Sequence, residues 1–119
     1  MAVNPTREQI EALAAIADGD ADAPLVMLNL NRYRDREAYE RYGEVALRVL
    51  MRVGGEVLWQ AHATMTVIGE DHESWDEVIA VRYPSARAFL DLALDPEIAA
   101  ALVHRDAGLE RATLIRCDA

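Results

Sequence analysis

Hydrophobic positions along the chain recur with two different periods, and the period indicates the type of each element. Apolar residues spaced three and four apart predict a first helix from about Pro5 to Ala17. A second helix follows Asp35, which is placed to cap it, and ends at Gly54-Gly55. Ser85 can cap a third helix, and Asp95-Pro96 begins a short fourth helix with the proline at its favoured first position.

Four strands are predicted around these helices. The run from Pro24 to Tyr33 is mostly apolar and ends in polar side chains, whereas residues 56–68 and 75–83 alternate with a period of two. A polar turn at residues 69–74 joins the two alternating runs and predicts an antiparallel hairpin. The last strand is predicted over residues 112–117.

After the first helix, the element order is strand, helix, strand, strand, helix, strand. This order predicts an α+β, ferredoxin-like βαββαβ fold with an added N-terminal helix, in which a four-stranded antiparallel sheet carries its helices on one face. The bare face of such a sheet must be covered, and a face-to-face dimeric α/β barrel would cover it. We therefore expect residues 1–23 to form a helix and an acidic linker, and residues 24–119 to form the barrel domain.

Composition narrows the partners that the protein can have. The 119 residues fit one domain, and the formal net charge of −9 disfavours nucleic acid and anionic membrane surfaces. The chain has no basic segment followed by an apolar run and no apolar stretch of membrane-spanning length, and Cys117 is its only cysteine. These features predict a cytoplasmic protein without a disulfide.

Four blocks of the sequence stand out as a combination, namely VMLNLNRYRDREAYERY (26–42), VGGEVLW (53–59), WDEVIAVRYPSARAFLDL (75–92) and HRDAGLERATLI (104–115). Together they resemble the group named domain of unknown function 1330, within the dimeric α/β-barrel superfamily. The resemblance implies the fold and a homodimer through the open sheet face, and the N-terminal helix looks like an addition to the family core. It implies no general activity, because relatives in the superfamily include cofactor-independent monooxygenases, muconolactone isomerases and haem-dependent enzymes.

The candidate site residues are polar groups expected near the ends of strands. Asn29 is the polar exception in an apolar strand, and a buried amide without partners costs about 1 to 3 kcal/mol, so it is either satisfied by neighbouring backbone or used to bind a ligand. His104 could act as a general acid or base, and Arg105 could clamp a carboxylate, although both could equally be cations at a helix C-terminus. Other candidates for substrate binding are Arg32, Tyr39 and Tyr42.

The remaining candidates have simpler interpretations. Tyr39 and Tyr42 lie on an apolar helical stripe, so packing explains most of their role. His62 is more typical of an interface than of a catalyst, and the histidines and Cys117 lack the spacing of metal ligands. We expect no metal and no cofactor.

Two functional hypotheses follow from the sequence. The first is a small dimeric enzyme that acts on an aromatic or carboxylate-bearing metabolite by proton transfer or cofactor-independent oxygenation. The alternative is a non-catalytic metabolite-binding or structural dimer module. The sequence does not decide whether the protein is an enzyme, because both hypotheses need the same fold.

Overall fold

The computed structural model of the protein describes residues 6–19 and 22–118. In chain order, its elements are α1 (Arg7–Gly19), β1 (Leu25–Tyr33), α2 (Arg36–Arg52), β2 (Glu56–His62), a 3-10 turn (Asp71–Glu73), β3 (Glu77–Tyr83), α3 (Ala86–Ala93), α4 (Pro96–Gly108) and β4 (Leu109–Asp118). The described helices include none that is both long enough and apolar enough to cross a membrane.

The four strands form one antiparallel sheet in the order β2-β3-β1-β4. This arrangement confirms the predicted ferredoxin-like fold. Strand β1 lies inside the sheet and pairs with β3 on one side and β4 on the other, so its side chains meet neighbours from both strands.

The sheet has two chemically different faces. Alternate residues of β1, beginning with Leu25 and Met27, point towards the helices and pack in the hydrophobic core with Val49, Val81 and others. We call this side the helix face. The other side, which carries Val26, Leu28, Leu30 and Arg32 from β1, we call the open face.

Local chemistry explains where the helices begin. The side chains of Asp35, Ser85 and Asp95 accept hydrogen bonds from backbone amides in the first turns of α2, α3 and α4, which confirms the predicted caps at Asp35 and Ser85. Thr6 and Gln9 exchange reciprocal side-chain-to-backbone bonds at the start of α1, which is the arrangement of a capping box. The prediction that α1 starts at Pro5 falls on a residue outside the described ranges.

Strand β2 differs from its prediction in length and in pattern. It ends at His62, not Ile68, because its neighbour β3 begins at Glu77. Among the described residues, the backbone bond from Ala63 to Asp76 is the last one between these two segments. The register also shifts between Val57 and Trp59. The irregularity places these two residues on opposite faces, whereas strict alternation predicted one shared face.

Candidate functional site

A buried polar cluster lies on the helix face at the polar end of β1. Asn31 and Glu77 are paired across β1 and β3, and they are only 3% and 4% exposed. Tyr33, Tyr39 and Gln60 complete what we call the Glu77 cluster. Burial of a carboxylate at this depth is uncommon in proteins and requires hydrogen-bonding partners.

Glu77 accepts hydrogen bonds from several side chains. The amide of Asn31 donates to Glu77 Oε1 at 3.1 Å and also approaches the Tyr39 hydroxyl at 3.0 Å. The amide of Gln60 donates to Glu77 Oε2 at 2.6 Å, and the Tyr33 hydroxyl is also hydrogen-bonded to Glu77. These three donors to the carboxylate are all uncharged.

The tyrosines beside Glu77 are held in their protonated form. Burial, followed by the Coulombic effect of Glu77, raises the pKa of Tyr39 well above its ordinary value. Burial and the hydrogen bond to Glu77 raise the pKa of Tyr33 in the same direction. Both phenols therefore keep a proton that they can donate at neutral pH.

An aromatic row links this cluster to Arg105. The ring centroids of Tyr33 and Tyr39 are 5.6 Å apart, and those of Tyr39 and Tyr42 are 5.8 Å apart. Arg105 Cζ lies 5.9 Å from the Tyr42 centroid. Three of the predicted site residues, Tyr39, Tyr42 and Arg105, are thus brought together.

The other predicted site residues lie elsewhere. The Asn29 amide faces the helices and donates to the carbonyls of Met27 and Ile79, both at 3.3 Å, which is the backbone-satisfied arrangement that the sequence left open. Arg32 lies on the open face, where Nη1 donates to Ser74 Oγ at 3.1 Å.

The two candidate histidines, His104 and His62, lie in different parts of the structure. His104 lines a groove of about 300 Å³ between α2 and α4 together with Arg48 and Glu97. His62 pairs with Glu77 in the β2–β3 ladder, so it belongs to the helix face and not to the face predicted for a partner.

Sequence reasoning did not select Asn31, Gln60 or Glu77 as site residues. A signal was present, because Glu77 shares one face of an alternating strand with Ile79, Val81 and Tyr83. An acidic residue on an otherwise apolar face predicts a buried carboxylate, and a buried carboxylate needs donors close by.

Three exposed side chains in the turn before β3 come close to one another. Ligand atoms of Glu70, His72 and Glu73 all lie within 4.8 Å. Exposed acidic groups often approach in this way without binding an ion, so this cluster by itself does not indicate a metal site.

Comparison with known proteins places the chain among proteins of this fold. The profile of a family described as a domain of unknown function, DUF1330, matches residues 25–116. A protein of unknown function from Rhodopseudomonas palustris has a crystal structure similar to this chain, with 36% identity, a TM-score of 0.89, and coverage of 99% of this chain and 96% of that one. No curated protein matches the chain significantly.

More distant structures share the fold alone. A dimeric ferredoxin-like protein of unknown function from Thermobifida fusca is 14% identical, with a TM-score of 0.54 and coverage of 81% of this chain and 91% of that one. The hydroxynitrile lyase of Passiflora edulis is 9% identical, with a TM-score of 0.59 and coverage of 80% and 92%.

Proposed function

The chain belongs to the DUF1330 family. From this premise we propose that it is a homodimeric, cofactor-independent enzyme that catalyses proton transfer in a small aromatic or carboxylate-bearing metabolite. The observation that carries the proposal is the Glu77 carboxylate, which is buried among uncharged donors and adjoins protonated tyrosines. In this proposal Glu77 is the general base. Removal of a proton by this carboxylate could also begin a cofactor-independent oxygenation.

The neighbouring groups fit the needs of such a step. A base that removes a proton leaves negative charge on the substrate, and a phenol that is already protonated can stabilise that charge by donating a hydrogen bond. Tyr39 is such a phenol, and Arg105 lies at the far end of the same aromatic row. Arg105 remains our proposed substrate-positioning residue, whereas the backbone bonds of the Asn29 amide give that residue a structural role.

Glu77 is a better candidate for the base than His104. The Asn31 amide bridges the Glu77 carboxylate and the Tyr39 hydroxyl of the aromatic row, whereas His104 lines the separate groove between α2 and α4. A general base must lie within hydrogen-bonding reach of the proton that it removes, and substrate bound beside Tyr39 would be near Glu77.

A non-catalytic metabolite-binding module is the second candidate. It is favoured by one observation, which is that both oxygens of Glu77 already accept hydrogen bonds from Asn31 and Gln60. A carboxylate used in this way could serve only to fix the conformation of the cluster.

The homodimer forms, in this proposal, through the open face. Three half-buried side chains of that face lie outside the hydrophobic core, namely Val26, Leu28 and Val78, and Trp59 beside them is 50% exposed. Large apolar patches on a protein surface commonly mark an interface. The Thermobifida fusca protein, which has the same fold, is described as dimeric. We place the dimer in the cytoplasm, in keeping with the free thiol of Cys117.

Isotope exchange tests the proposed chemistry without knowledge of the final product. Purified protein is first searched by native mass spectrometry for a bound metabolite, and that compound and a panel of aromatic and keto acids are then incubated with the protein in heavy water. We expect NMR to detect protein-dependent exchange of one carbon-bound proton. Glu77→Gln should lower the exchange rate by about 100-fold or more.

Glu44→Gln is the matched control, because Glu44 is an exposed carboxylate on α2. It should exchange protons at the wild-type rate. Equal exchange by wild type and Glu77→Gln would rule out Glu77 as the base. Ligand binding that persists without any exchange would favour the non-catalytic module.

A further inference from the structure

Arg111 lies on the open face of the sheet, opposite the face that carries the Glu77 cluster. It pairs with Arg32 across β1 and β4, yet it is only 7% exposed. Its Nη2 donates to the Ser74 carbonyl and to Ser74 Oγ, and its Cζ lies 4.7 Å from the centroid of the Trp75 ring. The guanidinium is therefore fixed in position by neutral groups.

The hydrogen-bonding capacity of Arg111 is not fully used. Its Nη1 is enclosed by protein and has no hydrogen-bond partner within residues 6–19 and 22–118. In the same part of the chain, no carboxylate oxygen comes within 4.0 Å of its nitrogens, whereas Arg32 has Glu110 at 3.5 Å. An arginine keeps its charge in a protein, and a buried charge without a counter-ion is costly. The site lacks one acceptor and one negative charge.

A cavity adjoins this unpaired cation. It has a volume of about 370 Å³, and Arg111 forms part of its wall. Leu30, Trp75 and Ala112 give the wall an apolar side, and Thr113 adds a hydroxyl beside Arg111. A cavity of this size, with apolar side chains beside a buried guanidinium, is large enough to hold a small molecule.

His72 and Glu73, which are both exposed, complete the wall of the cavity and restrict the kind of ligand that it can bind. Glu73 lies 3.8 Å from His72 and forms no ion pair with Arg111. Its carboxylate gives one part of the cavity a negative charge, which disfavours a ligand with anionic groups at both ends. A compound with one anionic group and an apolar body fits both conditions.

We propose that this cavity is a binding site for a small aromatic monocarboxylate, with the carboxylate neutralising Arg111 and the ring lying against Trp75 and Leu30. The site is separate from the Glu77 cluster, because the two lie on opposite faces of the sheet. The proposal does not rest on the proposed proton transfer, so failure of either proposal would leave the other standing.

Titration of the full-length protein with benzoate tests the site. Trp75 and Trp59 are the two tryptophans of the chain, so Trp59→Phe assigns their two indole N–H signals in an NMR spectrum. We expect benzoate to shift the Trp75 signal with saturation at concentrations up to about 10 mM, and neutral benzamide to bind at least about tenfold more weakly. Equal affinity for the two compounds would overturn the proposal, and so would no saturable response to benzoate.

Substitutions of Arg111 and Arg116 test where benzoate binds. Arg111→Gln should abolish the response, and Arg111→Lys, which keeps the charge but loses the planar fork, should weaken binding about tenfold. Arg116→Gln is the matched control, because Arg116 is on the same strand, pairs with Asp118 and does not line the cavity. Wild-type affinity in a folded Arg111→Lys protein would count against the site.

A counter-ion supplied by the protein would give a different result. If Glu73 moves to pair with Arg111 in solution, wild type would not respond to benzoate and Glu73→Gln would. That result would overturn the proposal, because Arg111 would then have its own acid. We expect Glu73→Gln to bind benzoate at least as tightly as wild type.

Discussion

The amide of Asn31 holds the Glu77 cluster together, because one nitrogen contacts both Glu77 and Tyr39. The amide of Asn29, two residues earlier on the same face, donates to two backbone carbonyls. The two asparagines therefore have different roles although they look alike in sequence. Asn31 supports a buried charge, whereas Asn29 supports the local course of the strand.

Asn31→Ala should destabilise the protein more than Asn29→Ala. The first change removes a donor from a buried carboxylate, and we expect it to lower the free energy of unfolding by about 2 to 4 kcal/mol. The second removes an amide that is only half-buried, and about 1 kcal/mol is expected. Urea unfolding of both variants provides the measurement, and equal losses would contradict the role assigned to Asn31.

Alkaline titration tests the environment of the tyrosines. Burial is the leading cause of a raised pKa at all four tyrosines of the chain, at positions 33, 39, 42 and 83. An unfolded tyrosine loses its proton near pH 10, where the native ones still keep theirs. Above about pH 10 the unfolded state thus binds fewer protons, and stability should fall as pH rises.

Below about pH 10 both states keep the phenolic protons, so the tyrosines should add no pH dependence there. The measurement is the ultraviolet absorbance of phenolate, with urea-unfolded protein as the control. A native curve that overlays the unfolded one would show that the tyrosines are not shielded.

At the scale of elements, the end of α4 fixes the start of α2. The Gly108 carbonyl accepts from the backbone amides of Arg34 and Asp35, at 2.8 Å and 3.1 Å. A Cβ added at Gly108 would lie 2.5 Å from the Tyr39 backbone nitrogen. The missing side chain allows the approach that positions Tyr39 in the cluster.

Gly108→Ala should therefore destabilise the protein. The new methyl group would meet backbone atoms that cannot move independently, and we expect a loss of about 1 to 3 kcal/mol. Gly43→Ala is the matched control, because Gly43 lies within α2 and nothing is within 4 Å of the added Cβ. It should stabilise the helix by about 0.5 to 1 kcal/mol, and thermal unfolding would measure the opposite signs.

The elements were more predictable than their contacts. Periodicity and capping residues such as Asp35 and Ser85 are local signals, so the order of helices and strands could be predicted. Asn31 and Glu77 are 46 residues apart in sequence, so their pairing depends on the register between β1 and β3. The local pattern of a sequence does not specify that register uniquely. The register shift between Val57 and Trp59 was missed for the same reason, since a strictly alternating pattern does not predict where a strand carries an extra residue.

At the scale of the molecule, the sheet separates two kinds of chemistry. The helix face carries the hydrophobic core and a polar cluster, and the open face carries an apolar surface and the Arg111 cavity. The segment after β2 adds to the exposed apolar area, with Met65, Val67 and Ile68 between 76% and 94% exposed. A second copy of the chain would cover the apolar part of the open face and this exposed segment.

Leu28→Arg should prevent association, because it places a charge in the middle of the open face. Light scattering after size exclusion should give twice the monomer mass of 13.2 kDa for wild type and the monomer mass for the variant at micromolar concentration. Leu94→Arg is the control, because Leu94 is 79% exposed at the end of α3, away from the sheet. A wild-type monomer would contradict the barrel dimer.

The segment from Ser74 to Glu77 touches both faces of the sheet within four residues. Ser74 is held by Arg111 and Arg32 on one face, and Glu77 enters the polar cluster on the other. Between them, Asp76 bonds to the backbone of Asn31 and Tyr33. A ligand whose binding shifts Ser74 must also alter the energy of the Glu77 arrangement, and thermodynamic linkage makes that effect reciprocal. Occupancy of one face would then be measurable as a change in affinity on the other.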